Sequence, residues 1–399
     1  MNNKEESPFT PGNPVPYELF VGRKNQIEEV LRYIKQSSRG KQENVFLSGI
    51  RGIGKSSLAS FLRYYVTTNM NMLGVHAFLG GVSTPEEMVR NIFDQVLKET
   101  KGQSWFKSIS GLFGSYVKEI GLFGISVSFN PPKQRLIELT RKFPEALNNL
   151  LEKVREEKAG FFIVLDDING LAEKEEFANW YKSFVDDVAT HYRDFPVFIV
   201  LVGLPEKRDL LSNLQPSLMR IFRVVDIESL SNNEVKQFLS RAFNNAEMRV
   251  EAKAMDLMVR FSSGLPALMH EIGDATFWKD DDGRVDRRDA VKGILEASRE
   301  VGEKYLGPKV YRAIQSRRYR SILSKLSYIV IPNYGKSFTT NEVKRKLNNQ
   351  EKNVFHHFLE KFRELGVIER DVELGRGVYK FTNQIYPLYI RMERVEYKK

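Results

Sequence analysis

The 399-residue chain contains no cysteine. That excludes disulfide staples, thiolate metal sites and cysteine nucleophiles, and it fits a reducing compartment. No apolar run approaches the roughly 18 residues needed to span a bilayer. The opening "MNNKEESPFTPGNPVPY" holds no apolar stretch of signal-peptide length either. It is rich in proline and polar residues, so residues 1–16 are expected to form a flexible tail. The expectation is a soluble cytoplasmic protein with no membrane partner. Most of the chain also lacks a basic excess. Residues 1–300 hold 40 Lys and Arg against 41 Asp and Glu, whereas residues 301–399 hold 21 against 10. The positive charge is confined to the last quarter, as expected of a module that grips a polyanion.

What the chain does have is an alternation of apolar runs and helical periods. "NQIEEVLRYIKQ" places Ile27, Val30, Leu31 and Ile34 on one helix face. "NVFLSG" reads as a short buried strand, "KSSLASFLRYYVTT" as the helix after it, and "GVHAFLGG" as a second strand. "TPEEMVRNIFDQVLKET" reads as a helix capped by Thr84, with Pro85 in its first turn. "GFFIVLDDI" and "FPVFIVLVG" are continuous apolar runs that end in turn signals, which suits strands buried on both faces of a parallel sheet. The pattern predicts an α/β domain over 17–225 and, from helical periods alone, an all-α domain over 226–304. Over 305–399 it predicts helices at about 310–330, 339–348 and 351–365, then strands "GVIERDVEL" and "GVYKFT" joined by a turn at "LGRG". Residues 102–130 stand apart, with "GLFG" at 111–114 and 121–124 and the alternating "ISVSF" at the end. They read as an amphipathic insertion ending in a strand, covering a sheet edge or forming a contact surface.

The stretch "SGIRGIGKSS" matches G-x-x-x-x-G-K-[ST] from Gly49 to Ser56, with a strand before it and a helix after it. Gly49, Arg51, Gly52, Ile53 and Gly54 make a loop whose backbone N–H groups can wrap a phosphate, and Lys55, Ser56 and Ser57 open the helix. That helix adds its positive end. Lys55 suits the β- and γ-phosphates of ATP, and the Ser56 hydroxyl suits Mg²⁺. A second motif, "FFIVLDD", ends a buried strand with two acids. A carboxylate there is costly unless it meets a cation or hydrogen bonds. Asp166 would hold Mg²⁺, directly or through water, and Asp167 would polarise the attacking water.

With "LFVGRKNQIEEV" before these motifs and "GLP" in the helical region, the chain resembles the AAA+/STAND P-loop ATPases over about residues 17–399. The likeness includes the archaeal ATPases, the origin-recognition initiators and the transposition-helper ATPases. The resemblance implies a parallel P-loop sheet followed by an all-α lid and a C-terminal winged helix. It implies that Phe20, Val21, Gly22 and Arg23 line the adenine and that Pro266 packs on the base from the lid. It also implies an arginine that reaches a neighbouring subunit's γ-phosphate, for which Arg220 is the first candidate and Arg223 the second. Two departures bear on activity. AAA+ proteins usually carry Glu where this chain, like many STAND proteins, has Asp167, and "GLPALMH" lacks the arginine that initiators place after the lid glycine. Both point to a slow switch rather than a fast motor.

In the winged-helix reading, "FTTNEVKRKLN" opens with a capping box from Thr339 to Glu342 and "EKNVFHHFLEKFRELG" is the third helix. Lys352, Asn353, His356 and Lys361 lie opposite its apolar face, suited to a DNA groove and its phosphates. Arg376 at the hairpin tip, Arg370 and Lys380 beside it, and Arg317, Arg318 and Arg320 of "QSRRYR" extend that set. The adjacent His356 and His357 diverge by about 100° on a helix and have no obvious acidic partner, so no metal is expected there. The partners expected are DNA together with self-association or a second protein. The alternative is a signalling or defence switch whose winged helix is an internal clamp and whose partner is protein.

Overall fold

The apolar runs form a parallel sheet in the computed structural model, which describes residues 4–120, 126–312, 314–331 and 337–396. Its strands are β1 (Glu43–Ser48), β2 (Leu73–Phe78), β3 (Phe161–Asp166), β4 (Val197–Gly203) and β5 (Phe222–Asp226), in the order β2-β3-β4-β1-β5. Every residue of β3 and β4 is buried, which is why those runs carry no polar alternation. β5 lies on an edge, and its "FRVVD" mixes buried and exposed positions. It therefore gives no continuous apolar signal, and the sequence reading does not identify it as a strand. Helices α1 (Lys24–Ser37), α2 (Lys55–Asn69), α3 (Pro85–Thr100) and α4 (Glu175–His191) accompany the sheet. Thr84 caps α3 by accepting the Glu87 N–H at 3.3 Å, with Pro85 opening the helix.

Because all these strands are parallel, their carboxyl ends gather on one edge. Ser48 is in register with Gly203 and with Asp226, Phe78 with Asp166, and Asp166 with Val202. In open α/β sheets that edge is where the ligand loops collect. The insertion contributes a helix (Phe106–Phe113) and a hairpin of Val117–Ile120 with Ser126–Phe129. The second "GLFG" lies outside the described residues. The apolar side of the insertion is spent on α3: the Phe93 ring stands 5.2 Å from that of Phe113 and 5.9 Å from that of Phe129. The Phe129 N–H also donates to Asp94 Oδ1 at 2.9 Å.

The chain divides into two compact units, one of residues 14–228 and one of residues 229 onward joined by the N-terminal segment. The second unit opens with α5 (Asn232–Asn245), α6 (Ala252–Ser262), α7 (Pro266–Lys279) and α8 (Arg287–Val301). Capping boxes from Ser231 to Glu234 and from Asp286 to Asp289 start α5 and α8. Residues 302–312 are π-helical with Pro308 inside, so the helix expected over about 310–330 begins instead at Arg317, as α9 (Arg317–Val330). Then come β6 (Phe338–Thr339), α10 (Thr340–Lys346), α11 (Asn349–Glu364), β7 (Ile368–Arg370), β8 (Val378–Phe381) and α12 (Tyr386–Glu396). The three strands form an antiparallel sheet in the order β6-β8-β7. β6 is only two residues long, too short for the sequence to announce it. Leu323, Leu326, Phe355, Phe358 and Phe362 pack in the core of this region.

Residues 4–13, read from composition as a tail, are seated on the helices of this second unit. Phe9 is buried, and its ring meets Phe238 at 5.9 Å and Phe243 at 5.0 Å, both on α5. Lys4 Nζ donates to the Phe277 carbonyl at 2.6 Å and pairs with the buried Asp280 at 3.0 Å. The Thr10 N–H donates to Nδ1 of His270 at 3.0 Å. Nδ1 accepts that bond only when it carries no proton. Burial lowers the His270 pKa from 6.5 to about 4. The unfolded chain therefore binds a proton near pH 6.5 that the folded chain refuses until about pH 4. The stability held by neutral His270 is complete above pH 6.5 and is lost as pH falls toward 4, by on the order of 3 kcal/mol. Chemical denaturation at pH 7 and at pH 4 should show a pH-dependent loss smaller by about that amount in His270→Gln.

Candidate active site

The loop after β1 is shaped by its glycines. Gly52 and Gly54 have φ of 75° and 93°, the left-handed region that favours glycine. A Cβ on Gly49 would stand 2.9 Å from Ile53 Cγ2 and 3.1 Å from the Ile227 carbonyl oxygen. Gly54 is the N-cap of α2 and no side chain caps that helix, so its first N–H groups remain open to an anion. Lys55 curls into the loop, where Nζ donates to the Gly49 and Ile50 carbonyls at 2.7 and 2.9 Å. Burial lowers its pKa, against the opposing pull of Asp166 and Asp167.

Asp166 ends β3 and is buried. The Ser56 hydroxyl donates to Oδ1 at 3.1 Å, and Nε2 of His76 on β2 lies 3.0 Å from Oδ2. Ser56 and Asp166, which the sequence separates by 110 positions, thus meet, with Lys55 beside Ser56 at the start of α2 and within the field of Asp166. A hydroxyl beside a carboxylate is a hard-oxygen set that suits Mg²⁺. A lysine within a loop of glycines suits phosphate. The residues present fit a magnesium nucleotide.

Asp167 is exposed and left-handed, with φ 59°, a conformation that Asp tolerates better than most residues. Asn169 donates through Nδ2 to Asp167 Oδ1 and accepts the Leu204 N–H on Oδ1 at 3.2 Å, so it ties the acid to the end of β4. The sequence reading missed Asn169 because an amide after two acids is ordinary turn chemistry. It missed His76 because one imidazole in "GVHAFLGG" looks like a buried strand residue. Phe20 stacks on Phe61 of α2, with ring centroids 4.6 Å apart, and Val21 is buried. Gly22 and Arg23 are both left-handed, at φ 70° and 63°. Arg23 is buried, and its guanidinium donates to the Ile53 carbonyl at 2.8 Å and to the Glu228 carbonyl, bracing the loop. Ser57 accepts the Val15 N–H at 3.2 Å, and Arg51 is exposed.

Arg220 is exposed on the short helix Leu218–Ile221, whereas Arg223 lies 4.0 Å from Glu43 and over the Tyr33 ring. Pro266 is the first residue of α7, in the second unit. Arg317 and Arg318 are exposed at the start of α9. Lys352, Asn353, His356 and Lys361 share the exposed side of α11, with Lys361 3.2 Å from Glu364. Both His356 and His357 lie 3.5 Å from Glu360, an acidic partner that the sequence reading did not find. The ligand atoms of these three exposed residues lie within 4.8 Å of one another, so the helix does not separate the two imidazoles as far as expected, and the group is close enough to hold a metal ion. Arg376 is exposed in the turn between β7 and β8, beside Val372 and Leu374, which are 88% and 65% exposed. Lys380 on β8 pairs with Glu369 at 3.4 Å. It lines a cavity of about 1080 Å³ with Lys236, Lys253 and Arg287.

Comparison with known proteins bears on the same residues. The AAA ATPase domain family matches residues 19–183, from the segment before α1 through β3 into α4. An uncharacterized HTH-type transcriptional regulator of Methanocaldococcus jannaschii is 21% identical over 240 residues, covering 58% of this chain. The match takes in 54% of that protein, so the chain spans about half the length of this curated relative. Among solved structures, a Walker-type ATPase of Pyrococcus abyssi superposes with a TM-score of 0.58 at 15% identity, over 93% of this chain and 96% of its own. The ORC2 protein of Aeropyrum pernix, solved in ADPNP and ADP complexes, gives 0.58 at 11% identity, over 98% and 96%. At these identities the likeness is one of fold. No helix among the described residues is long and apolar enough to cross a membrane. The loop after β1 and the buried carboxylate that closes β3 both lie in residues 19–183, the stretch that matches the AAA ATPase domain family, and the fold is shared with the ORC2 protein of Aeropyrum pernix.

Proposed function

We propose that this chain is a slow ATPase switch. It binds ATP with Mg²⁺ on the loop that precedes α2, and its nucleotide state governs self-association and DNA binding through a winged helix over 305–399. The observation that carries the reading is the contact of Ser56 with Asp166 at the carboxyl edge of the sheet, with Lys55 held in the adjoining glycine loop. Lys55 and the open N–H groups of α2 would bind the β- and γ-phosphates. The Ser56 hydroxyl and the Asp166 carboxylate would hold magnesium, which neutralises charge on the phosphates when bound. Asp167, fixed by Asn169, would orient the attacking water, and its short side chain is the reason turnover is slow. Arg220 would reach a neighbouring protomer. The relatives support the nucleotide, one described as a Walker-type ATPase and another in ADPNP and ADP complexes.

The DNA part of the reading is supported by the basic excess of residues 301–399, by the relative described as an HTH-type regulator, and by the exposure of Arg318, Lys352 and Arg376. Filter binding on duplex DNA at several salt concentrations, with and without ATP, tests it. Affinity should fall steeply as salt rises. Arg318→Glu with Arg376→Glu should weaken binding roughly 10- to 100-fold and flatten the salt slope by about 2. Binding that ignores both salt and these changes would favour the protein-directed switch with an internal clamp.

A further inference from the structure

Asp166 does not face the loop alone. Its two oxygens are divided between two partners, Ser56 Oγ at 3.1 Å on Oδ1 and His76 Nε2 at 3.0 Å on Oδ2. His76 is 6% exposed and Asp166 2%. A carboxylate oxygen of this kind only accepts, so Nε2 carries the proton and donates it. The other ring nitrogen, Nδ1, lies 3.4 Å from the Ser60 hydroxyl. Ser60 follows Ser56 by one turn of α2, so the two hydroxyls share a helix face. His76 and Phe78 alternate with Ala77 on β2 and so share a face of the sheet. Phe78, in register with Asp166, stacks on the imidazole with ring centroids 4.2 Å apart at 15°. The ring is thus held by a hydroxyl on one nitrogen, a carboxylate on the other and an aromatic face.

We propose that His76 is the positioning residue of the magnesium-binding carboxylate. By occupying Oδ2 it fixes the rotation of Asp166 and leaves Oδ1 directed at Ser56, while Ser60 sets the ring that does this. A hydrogen-bond partner behind a ligating carboxylate is worth about 10- to 100-fold in metal affinity. The proposal rests on the reading of Ser56 and Asp166 as the magnesium ligands, and it adds that their alignment comes from β2 rather than from the loop.

The test is ATP affinity of the full chain by calorimetry, as a function of Mg²⁺ and again in EDTA. In His76→Leu, the Mg²⁺ concentration that half-saturates the affinity gain should rise about 10-fold or more, while affinity in EDTA stays within about 2-fold of the parent. His76→Gln, which can still donate an N–H, should recover part of the loss, a recovery that a purely structural role would not give. Ser60→Ala, on the partly buried side of α2, should shift the same midpoint by a smaller factor. It carries the test should the buried leucine variant fail to fold. An unchanged Mg²⁺ midpoint in His76→Leu, or in Ser60→Ala where only that variant folds, overturns the proposal. A parent chain whose ATP affinity ignores Mg²⁺ overturns instead the ligand assignment on which it rests.

Discussion

Lys55→Ala is expected to reduce ATP affinity at least about 100-fold, a loss of roughly 2.7 kcal/mol. The size follows from what the side chain does. Its ammonium is the cation within a loop of glycines, held by the Gly49 and Ile50 carbonyls at 2.7 and 2.9 Å. A hydrogen bond to a charged group contributes about 1.5–3 kcal/mol, and an anion loses both the bond and the charge when the lysine goes. Burial already holds the Lys55 pKa below its usual value, so the ammonium is incompletely hydrated before any phosphate arrives. Replacing its carbonyl partners with phosphate oxygens therefore costs little desolvation. Calorimetry on the full chain reads the effect directly. The fold should be unaffected, because the loop glycines, the Arg23 brace and the buried Ile53 do not depend on the lysine.

The second large effect is on turnover. Asp167→Asn should leave ATP affinity within about 3-fold of the parent and slow hydrolysis by about 10²- to 10⁴-fold, the range for losing a positioned general base. Asparagine is the informative replacement, since it tolerates the left-handed backbone at φ 59° and can keep a hydrogen bond with Asn169. Alanine would add backbone strain to the chemical loss. Phosphate release measured at saturating ATP separates the two terms. An Asp167→Asn chain that hydrolyses ATP at the parental rate would remove Asp167 from the chemistry. Asn169→Ala should lower turnover by a smaller factor, because it frees the acid from the end of β4 without removing the carboxylate.

The legible parts of the molecule were those where one physical requirement leaves a unique pattern. β3 and β4 are buried on both faces, so unbroken apolar runs announce them. The loop from Gly49 to Ser56 needs glycine where φ is positive and no room for a Cβ where Ile53 packs, and a lysine and a serine at fixed spacing. Asp166 stands out because an acid closing a buried strand demands a partner. What stayed hidden depends on contacts between distant segments. His76 becomes informative only when β2 is laid beside β3 and the imidazole meets Asp166. Residues 4–13 have the composition of a free tail, yet Phe9 finds a cleft among Phe238, Phe243 and His270 that no local pattern encodes. Arg23 belongs to the segment that the resemblance assigns to the adenine, but its guanidinium is committed to the Ile53 and Glu228 carbonyls. β5 and β6 are an edge strand and a two-residue strand, and neither is long or regular enough to be seen in advance.

The most direct test of the central claim, that a magnesium triphosphate rests between the amino end of α2 and the carboxylate closing β3, is ATP calorimetry on three chains with and without Mg²⁺. The parent should bind ATP more tightly with Mg²⁺ than in EDTA. Asp166→Asn should bind in EDTA like the parent and gain nothing from Mg²⁺, and Lys55→Ala should bind poorly in both. Parental ATP affinity in Lys55→Ala, or a full Mg²⁺ gain in Asp166→Asn, would contradict it.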